Sequence, residues 1–332
     1  MLNPRLKLNE KIFQKDAEMA ATREGYGLAL VELGKNNPNV VVLTADLNES
    51  TKANKFSELY PDRFFDCGVA EQNMAAIAAG MGISGKVPFI SSYATFSPGK
   101  NWETIRTTIV YNNSNVKIAG HHSGVVTGPD GATHQATEDI AITRCWPNMT
   151  VIVPCDVNEA KRATIAAAAI NGPVYLRFTR DKTPLITTET TPFEVGKIYE
   201  YWQTDAPQVL ILATGHLLSG AILAAKELEE EGVNSIVANI ATIKPLDEQG
   251  LLPLVKKCQA VVTVEDHQVA GGLGGAVAEY TAKNFPSPIE FVGLLDTFAE
   301  SGKTAELLSK YKMDKGAIKE AVKRVISRKV SK

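Results

Sequence analysis

The sequence has few cysteines, and they form no recognisable pattern. The four cysteines are Cys67, Cys145, Cys155 and Cys258. No two of them have the spacing of metal ligands, and they lack the regular spacing of a disulfide-bonded secreted protein. This distribution favours buried free thiols in a reducing compartment. No apolar run approaches the ~20 residues that a membrane span needs, and the N-terminus is unlike a signal peptide. We therefore expect a soluble, cytoplasmic protein.

The chain also lacks an excess of charge of either sign. Its 35 basic and 37 acidic residues give a formal charge of −2. There is thus no electrostatic reason to expect nucleic acid or an anionic membrane as a partner, and any anion site must be local. A hydrophobic content of 44% excludes disorder over most of the chain. The 332 residues fit two domains of about 150 residues each.

Apolar segments of strand and helix length alternate along the chain, which is typical of parallel α/β sheets. The first series has predicted strands at 40–44, 63–68, 87–91, 116–119, 150–154 and 174–178. Its predicted helices lie at 16–35, 71–81, 100–112, 135–144 and 157–170. The second series has strands at 209–213, 235–239, 260–265 and 289–292, and helices at 217–232, 247–257 and 273–284. The lysine-rich C-terminus predicts a solvated surface helix.

The alternation lapses around residues 181–205, where Lys-Thr-Pro and a Thr/Glu run interrupt it. We therefore predict an α/β fold of two doubly wound domains with mostly parallel sheets. The first domain spans residues 1–185, the linker spans 186–205, and the smaller second domain spans 206–332.

Two glycine-rich segments partly match nucleotide-binding loops. Gly80-Met-Gly82-Ile-Ser-Gly85 has dinucleotide spacing, but its glycines close a predicted helix and lead into a strand. Close helix packing explains them better. Gly271-Gly-Leu-Gly-Gly275 follows a strand and opens a helix, but its spacing is wrong. It could hold an anion or permit tight packing, and packing is favoured.

Glu71 is the first candidate functional residue. It lies in Cys67-Gly-Val-Ala-Glu71-Gln-Asn, where a predicted strand gives way to a helix. Sheets of this kind expose functional groups at such positions. The alternative is an ordinary first-turn glutamate that stabilises the helix dipole. Taken alone, the segment favours the helix-dipole role, although its neighbours are unusually apolar for a solvated acid.

Three of the five histidines lie in one glycine-rich segment between a predicted strand and a helix, namely His121, His122 and His134. Histidine exchanges protons near neutral pH, and the nearby Asp130 can orient an imidazole or accept from a hydroxyl. Turn chemistry is the alternative for Pro-Asp-Gly, but so dense a cluster favours function. No cysteine or second acid completes a zinc site, so we predict no metal ligands in this chain.

Two segments are similar to the signatures of the pyrimidine-binding domain of transketolases, namely Cys67-Gly-Val-Ala-Glu-Gln-Asn and Gly128-Pro-Asp-Gly-Ala-Thr-His-Gln. The resemblance extends through Thr44-Ala-Asp-Leu, Gly172-Pro-Val-Tyr-Leu-Arg and Val264-Glu-Asp-His-Gln, and so covers nearly the whole chain. It implies the C-terminal subunit of a split transketolase, with a pyrimidine-binding domain at 1–185 and a transketolase C-terminal domain at 206–332. His267 could be functional or could lie at a domain contact.

The resemblance implies thiamine diphosphate as the cofactor and Glu71 as its activating acid. In the family, the matching glutamate hydrogen-bonds N1′ of the aminopyrimidine and promotes the imino tautomer that removes the thiazolium C2 proton. Phe96 matches an aromatic residue that lines the pyrimidine pocket. A position that is aromatic in many transketolases is Gly99 here, which makes Trp102 a candidate stacking partner. Asp46 is expected near the cofactor side of the family's subunit interface.

The resemblance also implies a site for sugar phosphates. The residues that match the distal-phosphate ligands of transketolases are Arg23, Ser50, His122 and Arg180. Guanidinium forks suit phosphate oxygens. Asp130 would contact a substrate hydroxyl, and His134 would be the second catalytic residue, assisting proton transfer at the donor carbonyl.

Half of a complete transketolase has no counterpart in the sequence. That half binds the diphosphate and magnesium through a Gly-Asp-Gly signature followed by Asn-Asn, and the chain contains no Gly-Asp-Gly. We expect a separate N-terminal subunit to bind the diphosphate with Mg²⁺ or another divalent ion. The active site would lie at a subunit interface of an α2β2 assembly, and this chain alone would be inactive. A short leader before the first predicted helix fits an independent subunit.

Three other functions are weighed against the transketolase reaction, which transfers a two-carbon ketol unit between sugar phosphates of the pentose phosphate pathway. The β subunit of a 2-oxo-acid dehydrogenase has the same size and a similarly placed glutamate, but normally lacks the Asp-Gly-x-Thr-His-Gln loop. Deoxyxylulose-phosphate synthase shares a similar loop but is one long chain. A non-catalytic binding or regulatory relative would have no reason to retain Glu71, Asp130, His134 and both arginines. The transketolase reaction is therefore favoured.

Overall fold

A computed structural model describes residues 1–329 and shows an α/β fold with two main, mostly parallel sheets, which confirms the predicted fold class. The strands are β1 (Met19–Ala21), β2 (Val40–Thr44), β3 (Phe64–Asp66), β4 (Val87–Tyr93), β5 (Lys117–His121), β6 (Thr150–Ile152), β7 (Val174–Arg177), β8 (Lys182–Pro184), β9 (Tyr199–Trp202), β10 (Val209–Ala213), β11 (Ser235–Asn239), β12 (Thr242–Lys244), β13 (Val261–Gln268) and β14 (Ile289–Leu294). The helices are α1 (Thr22–Asn36), α2 (Asn54–Leu59), α3 (Glu71–Ile83), α4 (Trp102–Thr104), α5 (Asp139–Arg144), α6 (Val157–Ala169), α7 (Leu218–Glu230), α8 (Glu248–Cys258), α9 (Leu273–Asn284), α10 (Thr304–Lys310) and α11 (Lys315–Ser327).

The larger sheet has seven strands in the order β12-β6-β7-β5-β4-β2-β3, and all its pairs are parallel except β12 with β6. Every residue of β2 is buried, as expected for a parallel strand covered on both faces. The carboxyl ends of the parallel strands lie at one edge of the sheet. The residues that end or follow four of these strands there are Asp46, Tyr93, His122 and Arg180.

The smaller sheet has five strands in the order β14-β13-β10-β11-β9, parallel except for β9. One hydrophobic cluster joins this sheet to α7, α11 and the N-terminal arm through Leu6 and Ile12. A second cluster combines residues of α8 and α9 with residues of the larger sheet and α3. The hydrophobic core is therefore continuous between the two halves of the chain.

Segments also cross between the halves. Strand β12 comes from the second half but pairs with β6 at the edge of the larger sheet. At the other end of the chain, the Asn3 N–H donates to the carbonyl of Tyr201 at 3.0 Å, so that the N-terminal arm lies on β9. These exchanges hold the two sheets in one arrangement, which matters because contacts of the second sheet reach the site described below.

Three predicted helices differ from the structure, and one of them, predicted at 135–144, begins only at Asp139. The helix predicted at 16–35 begins only at Thr22, because Met19–Ala21 is extended and pairs with Lys182–Pro184. The helix predicted at 100–112 is interrupted, since α4 is flanked by the π-helical segments Thr95–Lys100 and Ile105–Val110. The spacing of apolar residues does not distinguish α-helical from π-helical hydrogen bonding, so periodicity could not predict this interruption.

The cysteines and the C-terminal helix also depart from expectation. All four cysteines are free, but only Cys155 and Cys258 are buried, whereas Cys67 is half-buried and Cys145 is exposed. Helix α11 is not wholly solvated, because it buries one apolar face that includes Ile318 and Val322. The predicted helix also ran into residues 330–332, which lie outside the described residues. Within residues 1–329, no helix combines the length and the apolar character that crossing a membrane requires.

Candidate active site

Glu71 is the first residue of α3, and only 3% of its side chain is exposed. Gly68, at φ 65°, turns the chain between β3 and this helix. The Lys100 ammonium donates to Oε2 of Glu71 at 2.8 Å from a side chain that is 49% exposed. The Asn101 amide donates to the main-chain carbonyl of Glu71 at 3.0 Å. The buried carboxylate is thus paired with a cation that reaches it from the solvent edge.

Sequence reasoning missed Lys100. It closes the π-helical segment Thr95–Lys100, which also carries Phe96, so one short segment supplies both the predicted aromatic residue and the partner of Glu71. The Asn101 amide bonds the hydroxyl of Ser97 at 3.2 Å as well, which fixes this segment on α3. The only sequence signal was the closeness of Lys100 to Phe96, and nothing in the spacing connects it to Glu71.

Four aromatic rings gather at the carboxyl ends of β4 and β5. Tyr93 stacks on His122 with ring centroids 3.8 Å apart and an interplanar angle of 23°. Phe96 lies 5.9 Å from Tyr93 and 5.5 Å from His134, edge-on to the latter. The structure therefore brings together three predicted site residues through Tyr93, which was not a candidate.

Arg23, in the first turn of α1, connects two other predicted residues. Its Nη1 donates to the main-chain carbonyl of Ser50 at 2.9 Å and lies 3.5 Å from Nε2 of His122. Ser50 therefore meets Arg23 through its backbone. Burial, followed by the nearby charges of Arg23 and Arg180, lowers the pKa of His122 to about 3. His122 is consequently a neutral imidazole at physiological pH.

The two predicted arginines face a common region. Burial and then the charge of Arg180 lower the pKa of the Arg23 guanidinium. Nε of Arg180 lies 3.8 Å from Oδ2 of Asp130, and both side chains are about one-third exposed, at 36% and 32%. The guanidinium groups of Arg23 and Arg180 are only partly buried, and such groups suit an anionic ligand.

His121 precedes His122 but has different surroundings. Its ring lies 4.9 Å from Tyr26 and 5.0 Å from Phe178 by centroid distance. Among the described residues, neither ring nitrogen has a hydrogen-bond partner. Burial lowers the pKa of His121 well below its usual value, so the ring is neutral and packs among aromatic side chains.

Two predicted cofactor residues, Trp102 and Asp46, make their hydrogen bonds with residues outside the group around Tyr93. The indole N–H of Trp102 donates to the carbonyl of Ile142 at 3.0 Å, and its ring stacks on Trp146 at 5.3 Å. Asp46 is exposed beyond the end of β2, and its main-chain N–H donates to Asp66 at 3.0 Å. Their roles toward a cofactor stay predictions.

One glycine-rich segment allows close packing of a helix, and the other begins a helix whose N-terminus binds a carboxylate of the same chain. A Cβ added to Gly82 would lie 2.4 Å from Oγ of Ser114, so this part of α3 depends on a close approach. At the start of α9, the N–H groups of Leu273 and Gly274 donate to the Glu265 carboxylate at 2.7 and 2.8 Å. The anion at that helix terminus is therefore supplied by the chain itself.

Comparison with known proteins identifies relatives along most of the chain. The family profile "Transketolase, pyrimidine binding domain" matches residues 18–185, and "Transketolase, C-terminal domain" matches residues 200–318. A Methanocaldococcus jannaschii protein, provisionally named transketolase C-terminal section, is 45% identical over 296 residues, covering 88% of this chain and 92% of the relative. The 6-deoxy-6-sulfo-D-fructose transketolase subunit of Clostridium sp. (strain MSTE9) is 36% identical over 317 residues, covering 96% and 98%.

A solved structure is similar over nearly the same extent. It is described as "Split gene transketolase, inactive beta4 tetramer", and it superposes with a TM-score of 0.86 at 42% identity. The match covers 93% of this chain and 99% of that chain. The chain spans about half the length of the mammalian transketolases it matches. These similarities include both main sheets.

Proposed function

This chain belongs to the transketolase family, and from that premise we propose that it is the C-terminal subunit of a two-chain transketolase. The assembled enzyme reversibly transfers a two-carbon ketol unit from a ketose phosphate to an aldose phosphate, with thiamine diphosphate as cofactor. The observation that carries the proposal is the buried Glu71 carboxylate, whose partner Lys100 comes from the same segment as Phe96.

Glu71 and the nearby rings fit the aminopyrimidine of the cofactor. A buried carboxylate at the start of a helix is suited to share a proton with a ring nitrogen. Phe96 and Tyr93 offer aromatic surface for stacking, whereas Trp102 is committed to Trp146. We therefore assign the stacking role to Phe96. When bound, thiamine diphosphate supplies an acidic thiazolium carbon whose deprotonation creates the nucleophile.

Arg23 and Arg180 are proposed to hold the distal phosphate of the sugar. Burial and, after it, the charge of Arg180 lower the pKa of Arg23, and a phosphate between the two guanidinium groups would offset both effects. His122 is neutral, so it acts as a hydrogen-bond partner of the substrate rather than as a charge. Ser50 supports this end through its carbonyl, which orients Arg23.

Asp130 and His134 are proposed to act nearer the reacting carbons. Asp130, which lies beside Arg180, would accept from a substrate hydroxyl. Nδ1 of His134 lies 2.9 Å from the Thr133 hydroxyl, which orients the ring. The other ring nitrogen would then move a proton at the donor carbonyl.

The diphosphate and its magnesium are proposed to bind a separate N-terminal subunit. A diphosphate needs a divalent ion together with helix-terminus amides. Within residues 1–329, no group of three or more His, Cys, Asp or Glu side chains is arranged to hold a metal. The similar solved structure is described as an inactive tetramer from a split gene, and this chain has about half the length of mammalian transketolases. We infer an α2β2 enzyme in which this chain alone is inactive; its cytoplasmic location stays a prediction.

Reconstitution with an N-terminal subunit tests this function. We expect transfer from xylulose 5-phosphate to ribose 5-phosphate only when both chains, thiamine diphosphate and Mg²⁺ are present. A sulfonated sugar belongs in the panel, because one relative is named for 6-deoxy-6-sulfo-D-fructose. Turnover by this chain alone, or pyruvate consumption in place of ketol transfer, would contradict the proposal.

A further inference from the structure

Residues 123–136, here called the histidine loop, are held by a carboxylate from the second sheet. The main-chain N–H groups of Val125 and Val126 donate to Oδ1 and Oδ2 of Asp266, at 2.8 and 3.3 Å. Asp266 is a buried residue of β13. The loop therefore begins on an anchor that belongs to the other half of the chain.

Asp266 is itself fixed from two directions. Nε2 of His216 lies 3.0 Å from Oδ2 of Asp266, and the Arg177 guanidinium donates to the main-chain carbonyl of Asp266 at 2.8 Å. Burial would raise the pKa of Asp266, but the hydrogen bond from His216 and the charges of His216 and Arg177 reverse this and lower it. The anchor is thus an ionised, preorganised acceptor.

Gly124 shows how closely the loop approaches this anchor. A Cβ added there would lie 2.1 Å from Oδ2 of Asp266, and the residue has φ 80°, which glycine tolerates best. The Gly124 N–H donates to the carbonyl of Ala136 at 2.7 Å. The two ends of the loop are therefore closed against each other where the loop meets Asp266.

The second half also contacts the far side of the loop. Nε2 of Gln135 lies within hydrogen-bond distance of the carbonyls of Val125, Gly128 and Glu300, at 3.3, 3.3 and 3.1 Å. The Gly302 N–H donates to the carbonyl of Gly128 at 3.4 Å. Both contacts flank the segment that presents Asp130 and His134.

We propose that Asp266 and His216 form a positioning pair, through which the second sheet sets the placement of the histidine loop and thus of Asp130 and His134. This inference rests on the proposed function for its catalytic consequence. The loop contacts themselves do not depend on it. The second sheet then has a role in the active site by holding the histidine loop.

Amide hydrogen exchange on the isolated full-length chain tests the positioning. In Asp266→Asn, the amide side chain loses one acceptor oxygen and turns an N–H₂ toward the loop or His216. We expect exchange in residues 123–136 to accelerate about 10-fold or more, while the start of α3 is unchanged. The matched control is Glu159→Gln, a buried acid that bonds Asn239 of the second half away from the loop. Equal effects of both variants on the loop, or no effect of Asp266→Asn, would overturn the inference.

His216 provides a second, gentler test that does not depend on how well Asp266→Asn folds. His216→Gln keeps an N–H that can donate to Asp266, whereas His216→Leu removes it. We expect faster loop exchange in the leucine variant and near wild-type exchange in the glutamine variant. Identical exchange in the two variants would contradict a role for the pair.

Kinetics of the reconstituted enzyme then separate positioning from general stability. In Asp266→Asn, kcat should fall about 10-fold or more, since small displacements of reacting groups are costly. The Kd for thiamine diphosphate should stay within about 2-fold, because Glu71 lies on another segment. A kcat equal to that of Glu159→Gln would reject the catalytic consequence. If no partner confers transketolase activity, the proposed function fails, while the exchange experiment still decides whether the loop is held.

Discussion

Two buried glutamates lie in the first turns of helices that follow strands, but their surroundings differ. Glu159, in α6, accepts from the main-chain N–H of Cys155 at 2.7 Å and from the Asn239 amide at 2.8 Å. Glu71, at the start of α3, accepts from Lys100 at 2.8 Å. The donors to Glu159 are buried, whereas 49% of the Lys100 side chain is exposed.

The two glutamates differ in whether the hydrogen-bond partner of the carboxylate can move away into solvent. Breaking the contacts of Glu159 would strand buried donors, which costs about 1–3 kcal/mol each. Lys100 can move its ammonium into water, because 49% of its side chain is already exposed, and the buried Glu71 carboxylate then needs another partner. A buried acid whose partner has a route to solvent is therefore suited to exchange that partner for a ligand. A buried acid whose hydrogen-bond donors are all buried, such as Glu159, is suited to stabilise the fold.

The largest expected effect concerns activity. Glu71→Gln should reduce kcat/KM of the reconstituted enzyme by about 100-fold or more, because the shared proton with the cofactor ring nitrogen is lost. Glu159→Gln should keep activity within about 3-fold at a temperature where it is folded. Ketol transfer is measured for both variants with the same partner preparation. Size-exclusion chromatography should show unchanged assembly for Glu71→Gln. Wild-type turnover by this variant would remove the role proposed for Glu71.

The two variants should affect stability in the opposite order, with the larger loss in Glu159→Gln. Below pH 7, Glu159→Gln should lower the free energy of unfolding by about 1–3 kcal/mol, because its amide nitrogen cannot accept from a buried donor whereas both oxygens of a carboxyl group can. Glu71→Gln removes the buried charge itself and lets the half-exposed Lys100 return to solvent, so stability should change by less than about 1 kcal/mol. Urea unfolding followed by circular dichroism measures both values. A larger loss for Glu71→Gln would reverse the comparison.

The pH dependence of stability should reveal the titration of Glu159. Burial, and then the charge of Asp156, raises the pKa of Glu159 from 4.5 to about 7. Because the folded state prefers the protonated acid, the contribution of Glu159 is complete below pH 4.5 and is lost as the pH rises through 7. Glutamine cannot titrate, so the destabilisation in Glu159→Gln should shrink over this range by about 1 kcal/mol or more. Unfolding both proteins at several pH values tests this, since other titrating groups are common to both. A constant difference would contradict the raised pKa.

The contrast between the two glutamates also shows where sequence reasoning ends. Strands β2, β10 and β11 were predicted to the residue, because buried parallel strands are short apolar runs that differ from their surroundings. Strands β1, β8, β9 and β12 were missed, since they are three or four residues long and their partners are distant in sequence. Their formation depends on pairing rather than on local pattern.

The same limit applies to the site. The structure brings Arg23, His122 and Arg180 together. The resemblance to a family site could identify them because each lies at or near the end of a helix or strand that is recognisable in the sequence. Lys100 and Asp266 were not predicted as site residues. Their importance comes from which atoms they contact across the fold, and a single sequence contains no spacing rule for such contacts.

The smallest expected effect concerns the exchange of Lys100 for the cofactor. Lys100→Gln removes the ammonium that competes for Oε2 of Glu71, so thiamine diphosphate should bind the assembled enzyme about 2- to 5-fold more tightly. Titration calorimetry measures the Kd, and the unfolding free energy without cofactor should fall, because the buried Glu71 carboxylate loses its cation. Lys86→Gln, an exposed lysine before β4, is the matched control and should leave the Kd unchanged. Weaker binding in Lys100→Gln would mean that Lys100 supports the bound cofactor instead of giving way to it. Glu71 would then resemble Glu159 in depending on a fixed partner.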